Sequence, residues 1–214
     1  MNAGEQQKRA RAVLTRLQKT FRSPGMMDFG SAEDRLIATL LSARTRDEQV
    51  LKVYPGLRKA FPHLQDLANA PILSIEKYIR SIGFFHAKAR AIKKLAQIVM
   101  EKHDGRVPKT MEELVELPGV GRKTASCVLW YAFGIPAIAV DTHVFRITHR
   151  LGWAKGKTPE QVEEELRKNV PEKLWGEMNR VFVQFGRAIC TPGKPRCFAC
   201  PVRDLCPFQP KTEG

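Results

Sequence analysis

The chain has no apolar stretch of signal-peptide length in its opening residues, MNAGEQQKRARAVLTRL, and nothing there suggests export. It also has no run able to cross a membrane. The longest uncharged stretch, Cys127 to Val140, is fourteen residues broken by Gly134 and Pro136, against about 20 apolar residues for a span. It reads instead as a core helix and the turn after it. Strand-like alternation is almost absent, and no repeat or low-complexity segment occurs, so a β architecture is excluded. Acidic residues are in deficit: 22 Asp and Glu face 36 Lys and Arg, a formal charge of +14 with a pI of about 9.9. The excess is spread along the chain. Such a balance favours a polyanionic partner, with nucleic acid ahead of membrane.

What is present is helical. At 214 residues and 43% apolar content the chain can fill one large or two small cores. Apolar residues recur at helical spacing in Leu14, Leu17 and Phe21; in Leu36, Ile37, Leu40 and Leu41; in Ile92, Leu95, Ala96 and Val99; and in Val162 and Leu166. Start signals agree: Ser31 with Asp34 and Thr110 with Glu113 have capping-box spacing, and Thr158-Pro159 with Gln161 adds a proline at the first helical position. The fold class expected is all-α. Glycine and proline punctuate it at Ser23-Pro24-Gly25, Gly83, Pro108, Pro118 to Gly121, Gly134 to Pro136 and Gly152 to Gly156.

Four of the five cysteines, Cys190, Cys197, Cys200 and Cys206, crowd into a C-x6-C-x2-C-x5-C pattern. Four thiolates so close repel one another and need a cation, which a tetrahedral zinc or an iron-sulfur cube could each supply. A zinc ribbon would carry two C-x2-C knuckles and only one exists here, so the spacing leans towards the cluster. Two disulfides are the alternative in an oxidising compartment, but without a secretory signal a reducing cytoplasm fits best. Between the first two cysteines the loop TPGKPR presents Lys194 and Arg196 to a phosphate backbone. Cys127 sits in an apolar helix and reads as core packing.

The segment from Thr110 to Phe133 reads as helix, hairpin Pro118-Gly119-Val120-Gly121, and helix. The glycines allow positive φ and let a phosphate approach backbone N-H groups at the start of the second helix, a contact indifferent to base sequence. Arg122 and Lys123 follow at once. Lys123 falls in the first helical turn, where the positive end of the helix dipole and partial burial both disfavour a charged amine, and a neutral lysine is a nucleophile. By itself a lysine after a glycine turn is a solvated charge; the chemical reading needs a partner. Asp141, in AVDTHVFRITHRLGW, is the candidate, and equally an N-cap for the helix that follows.

Three motifs in this order, LPGVGRKTA, VDTHVFR and GRAICTPGKPRCFACPVRDLC, resemble endonuclease III, of the helix-hairpin-helix DNA glycosylase superfamily. The resemblance runs from LIATLLSARTRD to the last cysteine. It implies two helical domains with a DNA groove between them: a six-helix barrel over residues 25–134, and a cluster domain built from 1–24 and 135–214. It also implies a 4Fe-4S cluster on the four cysteines rather than zinc, a monomer in the cytoplasm associated with the nucleoid, and double-stranded DNA with damaged bases or abasic sites as partner. Lys123 would attack C1′ of an extruded nucleotide, expel an oxidised pyrimidine and nick the strand by β-elimination, with Asp141 activating the amine or stabilising charge on the sugar. Gly119, Val120, Gly121, Arg122, His143, Arg187, Lys194 and Arg196 would meet DNA.

Several positions depart from that family's pattern. Arg44 stands where relatives carry the glutamine of LSAQ, Phe84 where the wedge is often leucine, His86 at an asparagine-like position, and Phe185 where a histidine often precedes GR. Arg44 could pair with an orphaned base or reach a phosphate; Phe84 could stack in the duplex or pack beside Phe85 in the core. His143 and His149 read as phosphate contacts or helix-surface residues, and VEEELRK, Val162 to Lys168, as a solvated helix face with acid-to-base pairs. Two other readings compete: an adenine or mismatch glycosylase, against which Lys123 argues, and a non-catalytic iron-sulfur DNA-binding protein.

Overall fold

The structure is a computed structural model in which residues 3–21 and 30–213 are described. It is all-helical: among the described residues there is no strand. The break expected at Ser23-Pro24-Gly25 lies outside the described residues. The chain divides into two compact units, one of Pro24–Gly134 and one of Met1–Ser23 with Ile135–Gly214.

The first unit holds α2 (Ala32–Ser42), α3 (Asp47–Ala60), α4 (Leu64–Asn69), α5 (Ile72–Ile79), α6 (Phe85–Lys102), α7 (Met111–Val115) and α8 (Arg122–Phe133). Two of these are its axis. Leu36 to Leu41 of α2 and Thr124 to Leu129 of α8 are buried through six consecutive positions each, the mark of a helix enclosed on every side. The sequence fits that role, because α2 begins with a reciprocal Ser31–Asp34 capping box, and α8 ends on Gly134 at φ +67, a conformation that costs glycine little. Around them pack Val50 and Leu57, Ile75 and Ile79, and the α6 stripe of Ile92, Leu95, Ala96 and Val99.

The second unit joins the two ends of the chain. Its helices are α1 (Ala3–Thr20), α9 (Thr142–Arg150), α10 (Pro159–Asn169) and α11 (Trp175–Ala188). One apolar cluster unites Val13, Leu14 and Leu17 of α1 with Val144 and Ile147 of α9, Val162 and Leu166 of α10, Phe182 and Phe185 of α11, and Trp153 and Val202. Polar ties reinforce it: Arg9 donates to Leu205 O at 3.0 Å and Leu151 O at 2.7 Å, and Arg16 pairs with Asp204 at 2.6 Å. Burying apolar area at roughly 25 cal/mol per Å² makes such side chains the main support of the unit.

Two expectations about this unit need correction. The VEEELRK segment is not wholly a solvated face, since Val162 and Leu166 enter the core and Glu163 is only 4% exposed. Its carboxylate is held by Arg167 at 2.8 Å, whose guanidinium stacks 5.0 Å from the Trp175 ring; pairing is what makes burial of the charge tolerable. His149 is not a free surface group either. Its ring stacks on Phe145 with centroids 4.4 Å apart, and its two nitrogens lie 2.7 Å from Phe145 O and 2.9 Å from Gly156 O.

Candidate functional site

The hairpin expected from Pro118 to Gly121 is present, and its two glycines do different work. Gly119 adopts φ +80, and a Cβ there would stand 3.1 Å from both Ala91 Cβ and Leu40 Cδ1, so backbone and packing both require glycine. Val120 is buried and pins the turn to the core. Gly121 is the N-cap of α8 in extended conformation and offers no capping side chain. A Cβ on it would meet nothing within 4 Å. The fold does not demand glycine there, and the space over the first turn of α8 is open. Lys123 occupies that turn half-buried, and among the described residues it makes no hydrogen bond or ion pair.

Two other turns of the same unit converge. Arg44, just past α2, has φ +54, and Phe84, the N-cap of α6, has φ +60. Left-handed backbone at residues other than glycine is costly and clusters at functional sites. Phe84 is 65% exposed, so the core-packing reading fails for it. The Arg44 guanidinium lies 5.8 Å from the Phe84 ring centroid, within cation–π range. Beside them His86 Nδ1 is 2.8 Å from Glu76 Oε1, and its imidazole lies against the Phe85 ring with centroids 3.9 Å apart.

Asp141 belongs to the other unit and is the N-cap of α9: Oδ1 accepts from His143 N and Val144 N, both at 2.8 Å. Its second oxygen takes no hydrogen bond among the described residues, so the cap uses only half of the carboxylate's accepting capacity. His143, one turn in, is pressed against α11. A Cβ on Gly186 would stand 2.5 Å from His143 Nδ1 and 2.8 Å from Arg146 Nη2, which explains glycine at that helical position. Burial pushes the His143 imidazole below its usual value, opposed by the Asp141 charge and assisted by Arg146 and Arg187. Arg187 itself is exposed on the last turn of α11.

The four clustered cysteines line one cavity, with Ile147, Arg150, Phe185, Ile189 and Val202 among its walls. None is bridged, so the disulfide alternative is not adopted. Burial pushes the Cys200 thiol up to about 11, with the charges of Cys206, Cys190 and Cys197 adding to the rise, and burial likewise raises Cys206. Ionising this set therefore requires a positive partner. Among the described residues no three or more His, Cys, Asp or Glu side chains gather closely enough to hold a single metal ion. Arg150 links the cavity to the basic loop. It donates to Cys190 Sγ at 3.2 Å, to Thr191 O at 2.7 Å and to Pro192 O at 2.8 Å, while its guanidinium lies 4.7 Å from the Phe208 ring. The loop is closed by Arg196 N donating to Ile189 O at 2.8 Å, and it leaves Lys194 and Arg196 exposed.

Sequence reasoning did not single out Lys88, Arg146, Arg150 or Gly186. Lys88 did leave a signal: it falls in register with Ala89, Ile92, Leu95, Ala96 and Val99 on the buried stripe of α6. The arginines left none, because their partners are backbone carbonyls far along the chain.

A family model described as HhH-GPD superfamily base excision DNA repair protein matches residues 37–172. The chain is 49% identical over 173 residues to Endonuclease III of Thermotoga maritima, covering 81% of each protein. It is 41% identical over 209 residues to Endonuclease III of Escherichia coli strain K12, covering 94% of this chain and 96% of that one. Among solved structures, a trapped endonuclease III–DNA covalent intermediate, an estranged-adenine complex, is similar with TM-score 0.86 and 38% identity over 94% of this chain and 95% of that chain. A thermostable thymine-DNA glycosylase gives TM-score 0.83 and 27% identity over 97% and 98%. Among the described residues no helix is long and apolar enough to cross a membrane. Similarity that spans nearly the whole chain, on a helical scaffold with a glycine hairpin leading into α8, establishes that this protein belongs to the endonuclease III family of base-excision-repair DNA glycosylases.

Proposed function

We propose that the protein removes oxidised pyrimidines from duplex DNA and then cleaves the strand, with Lys123 as nucleophile and Asp141 as its assisting carboxylate. The observation that carries this reading is the hairpin: it places Lys123, half-buried and among the described residues without a hydrogen bond or ion pair, in the first turn of α8, two residues after a glycine whose Cβ direction is open. A phosphate of the backbone fits that opening, where N-H groups without a capping side chain and the helix dipole favour an anion. The duplex is thereby held independently of its sequence, and the damaged nucleotide is the one extruded at least cost.

In the reaction Lys123 Nζ, deprotonated, forms a bond to C1′ of the extruded nucleotide as the glycosidic bond breaks and the base departs with its electron pair, taking up a proton. Ring opening gives an imine between Nζ and C1′. Loss of a C2′ proton then expels the 3′ phosphate and nicks the strand. The free oxygen of Asp141 suits it to accept the lysine proton or to stabilise positive charge on the sugar. The covalent endonuclease III–DNA intermediate among the similar structures accords with a nucleophile of this kind. Arg44, Phe84 and His86 suit the opened base step, and Arg122, His143, Arg187, Lys194 and Arg196 suit the flanking phosphates.

The cysteine set fits a 4Fe-4S cluster. Four thiols lining one cavity suit one thiolate per iron of a cube, and the single C-x2-C pair departs from the two knuckles of a zinc ribbon. When bound, such a cluster supplies the positive charge that the thiolates need and cross-links residues 190–206. The chain's own part is Arg150, which fixes the loop bearing Lys194 and Arg196 against Cys190.

Borohydride trapping tests the assignment. Wild-type protein should form a covalent adduct with a duplex carrying an oxidised pyrimidine, and Lys123→Ala should form none while still binding it. Trapping that persists in Lys123→Ala would remove the nucleophile from this position; base release without trapping would favour a monofunctional glycosylase.

A further inference from the structure

Lys88 lies one turn into α6 and is 7% exposed, a rare setting for a lysine. Its ammonium donates to Leu41 O at 2.8 Å, Ala43 O at 2.7 Å and Thr45 Oγ1 at 2.8 Å. All three of its donors are thereby spent inside the protein, so it cannot also serve a phosphate. Two of the acceptors lie at the C-terminal end of α2, where carbonyls lack intrahelical partners and a cation is favoured. The segment so gripped contains Arg44 at φ +54, and the helix that supplies the grip begins at Phe84 with φ +60. One buried side chain thus ties together two turns whose backbones are each held in a disfavoured region. Two further contacts run alongside it: Gln49 Nε2 donates to Ser81 Oγ at 2.6 Å, and a Cβ on Gly83 would stand 3.9 Å from Arg44 O.

We infer that Lys88 is a positioning residue that clamps the Arg44 and Phe84 turns into one rigid wedge, so that both side chains enter an opened base step as a unit. This rests on the reading of Arg44 and Phe84 as DNA contacts. A wedge whose two halves move independently would lose extrusion of the base while keeping duplex binding and the lysine chemistry, because neither depends on this contact. Lys88 therefore acts before the chemical step and only where a base must be displaced.

The test uses a duplex with an oxidised pyrimidine beside 2-aminopurine, and the same duplex with a preformed abasic site. Lys88→Met keeps the length of the side chain and removes its donors. Fluorescence-detected extrusion and base release should fall by at least about tenfold, in line with the cost of misplacing a positioned group. Nicking at the preformed abasic site should change by less than about threefold, and in an Arg44→Ala/Phe84→Ala background Lys88→Met should add nothing, as expected for residues acting through one another. Equal losses on both substrates, or an additive effect in the combined variant, would overturn the inference. Arg44→Ala/Phe84→Ala with wild-type extrusion would sink the wedge reading, and the clamp with it. Should Lys88→Met not fold, Thr45→Val, which removes one acceptor at a half-exposed position, must give the same split between substrates in smaller measure, and failure to do so counts against the clamp.

Discussion

Asp141 is asked to do two things, and the structure separates them by oxygen. Oδ1 holds the first turn of α9 through two hydrogen bonds; Oδ2 carries the accepting capacity proposed for the reaction. Asp141→Asn keeps an amide oxygen in the capping position and loses only the charge on the helix terminus, worth about 0.3–1 kcal/mol. Asp141→Ala loses the cap as well, a further loss of about 1 kcal/mol. For a chain of this length each kcal/mol moves Tm by about 2–4 °C, so the Asn variant should melt about 1–4 °C below wild type and the Ala variant about 3–8 °C below. Activity should not follow that order. Both variants lose the charged carboxylate, so both should fall about 10²–10⁴-fold in single-turnover base release, measured well below either melting point. Asn with wild-type turnover would reduce Asp141 to a helix cap; Ala with wild-type Tm would show that the two backbone bonds contribute nothing.

Other outcomes can be checked alongside. Gly119→Ala, which forces a Cβ to within 3.1 Å of Ala91 and Leu40 at φ +80, should cost about 2–4 kcal/mol of stability by denaturant titration, whereas Gly121→Ala should leave stability within about 1 kcal/mol and weaken duplex binding. Arg44→Gly should melt at or above the wild-type temperature, by up to about 1 kcal/mol of relieved backbone strain, yet process lesions more slowly. Because burial depresses the His143 imidazole, the folded state binds fewer protons there than the unfolded chain; its stability relative to His143→Gln should be unaffected above about pH 7 and fall as pH drops through about 6.5, followed by Tm across a pH series. Affinity for undamaged duplex should fall at least about tenfold between roughly 50 and 200 mM salt, and a flat response would contradict phosphate contacts. Purified protein should be brown with about four irons per chain, and a colourless zinc-containing preparation would remove the cluster.

Local signals and long-range ones differed in how well they could be read from the residues. Helix starts were legible because the capping partners are three residues apart: Ser31 with Asp34 and Thr158 with Gln161 form reciprocal boxes, while Thr110 caps Glu113 N and the Glu113 carboxylate accepts from the Thr110 hydroxyl instead of its backbone N-H. The hairpin was legible for the same reason, glycine and proline acting within one turn. What was hidden depends on partners distant in sequence. Nothing near Lys88 announces the carbonyls of Leu41 and Ala43, and although VEEELRK announces acid-to-base pairs, it does not say that Glu163 is buried or that Arg167 lies against Trp175. The left-handed backbone at Arg44 and Phe84 was equally silent, since neither residue type favours it and only tertiary support maintains it. His149 was misread because its stacking and its bond to Gly156 O are set by how the chain returns after α9.

The union of α1 with the end of the chain has a bearing on biosynthesis. Arg9 and Leu205 are joined across 196 residues, so at 5–20 residues per second the first helix waits about 10–40 s before its partner leaves the ribosome. Pro24–Gly134 meets no such delay, as every helix it needs has already emerged. Val13, Leu14 and Leu17 stay uncovered until Val144, Val162 and Phe182 have followed them out, and a nascent chain stalled before that point exposes the greasy stripe to holdase chaperones. Assembly of the proposed cluster, which would need Cys206, would then wait until the chain is nearly complete.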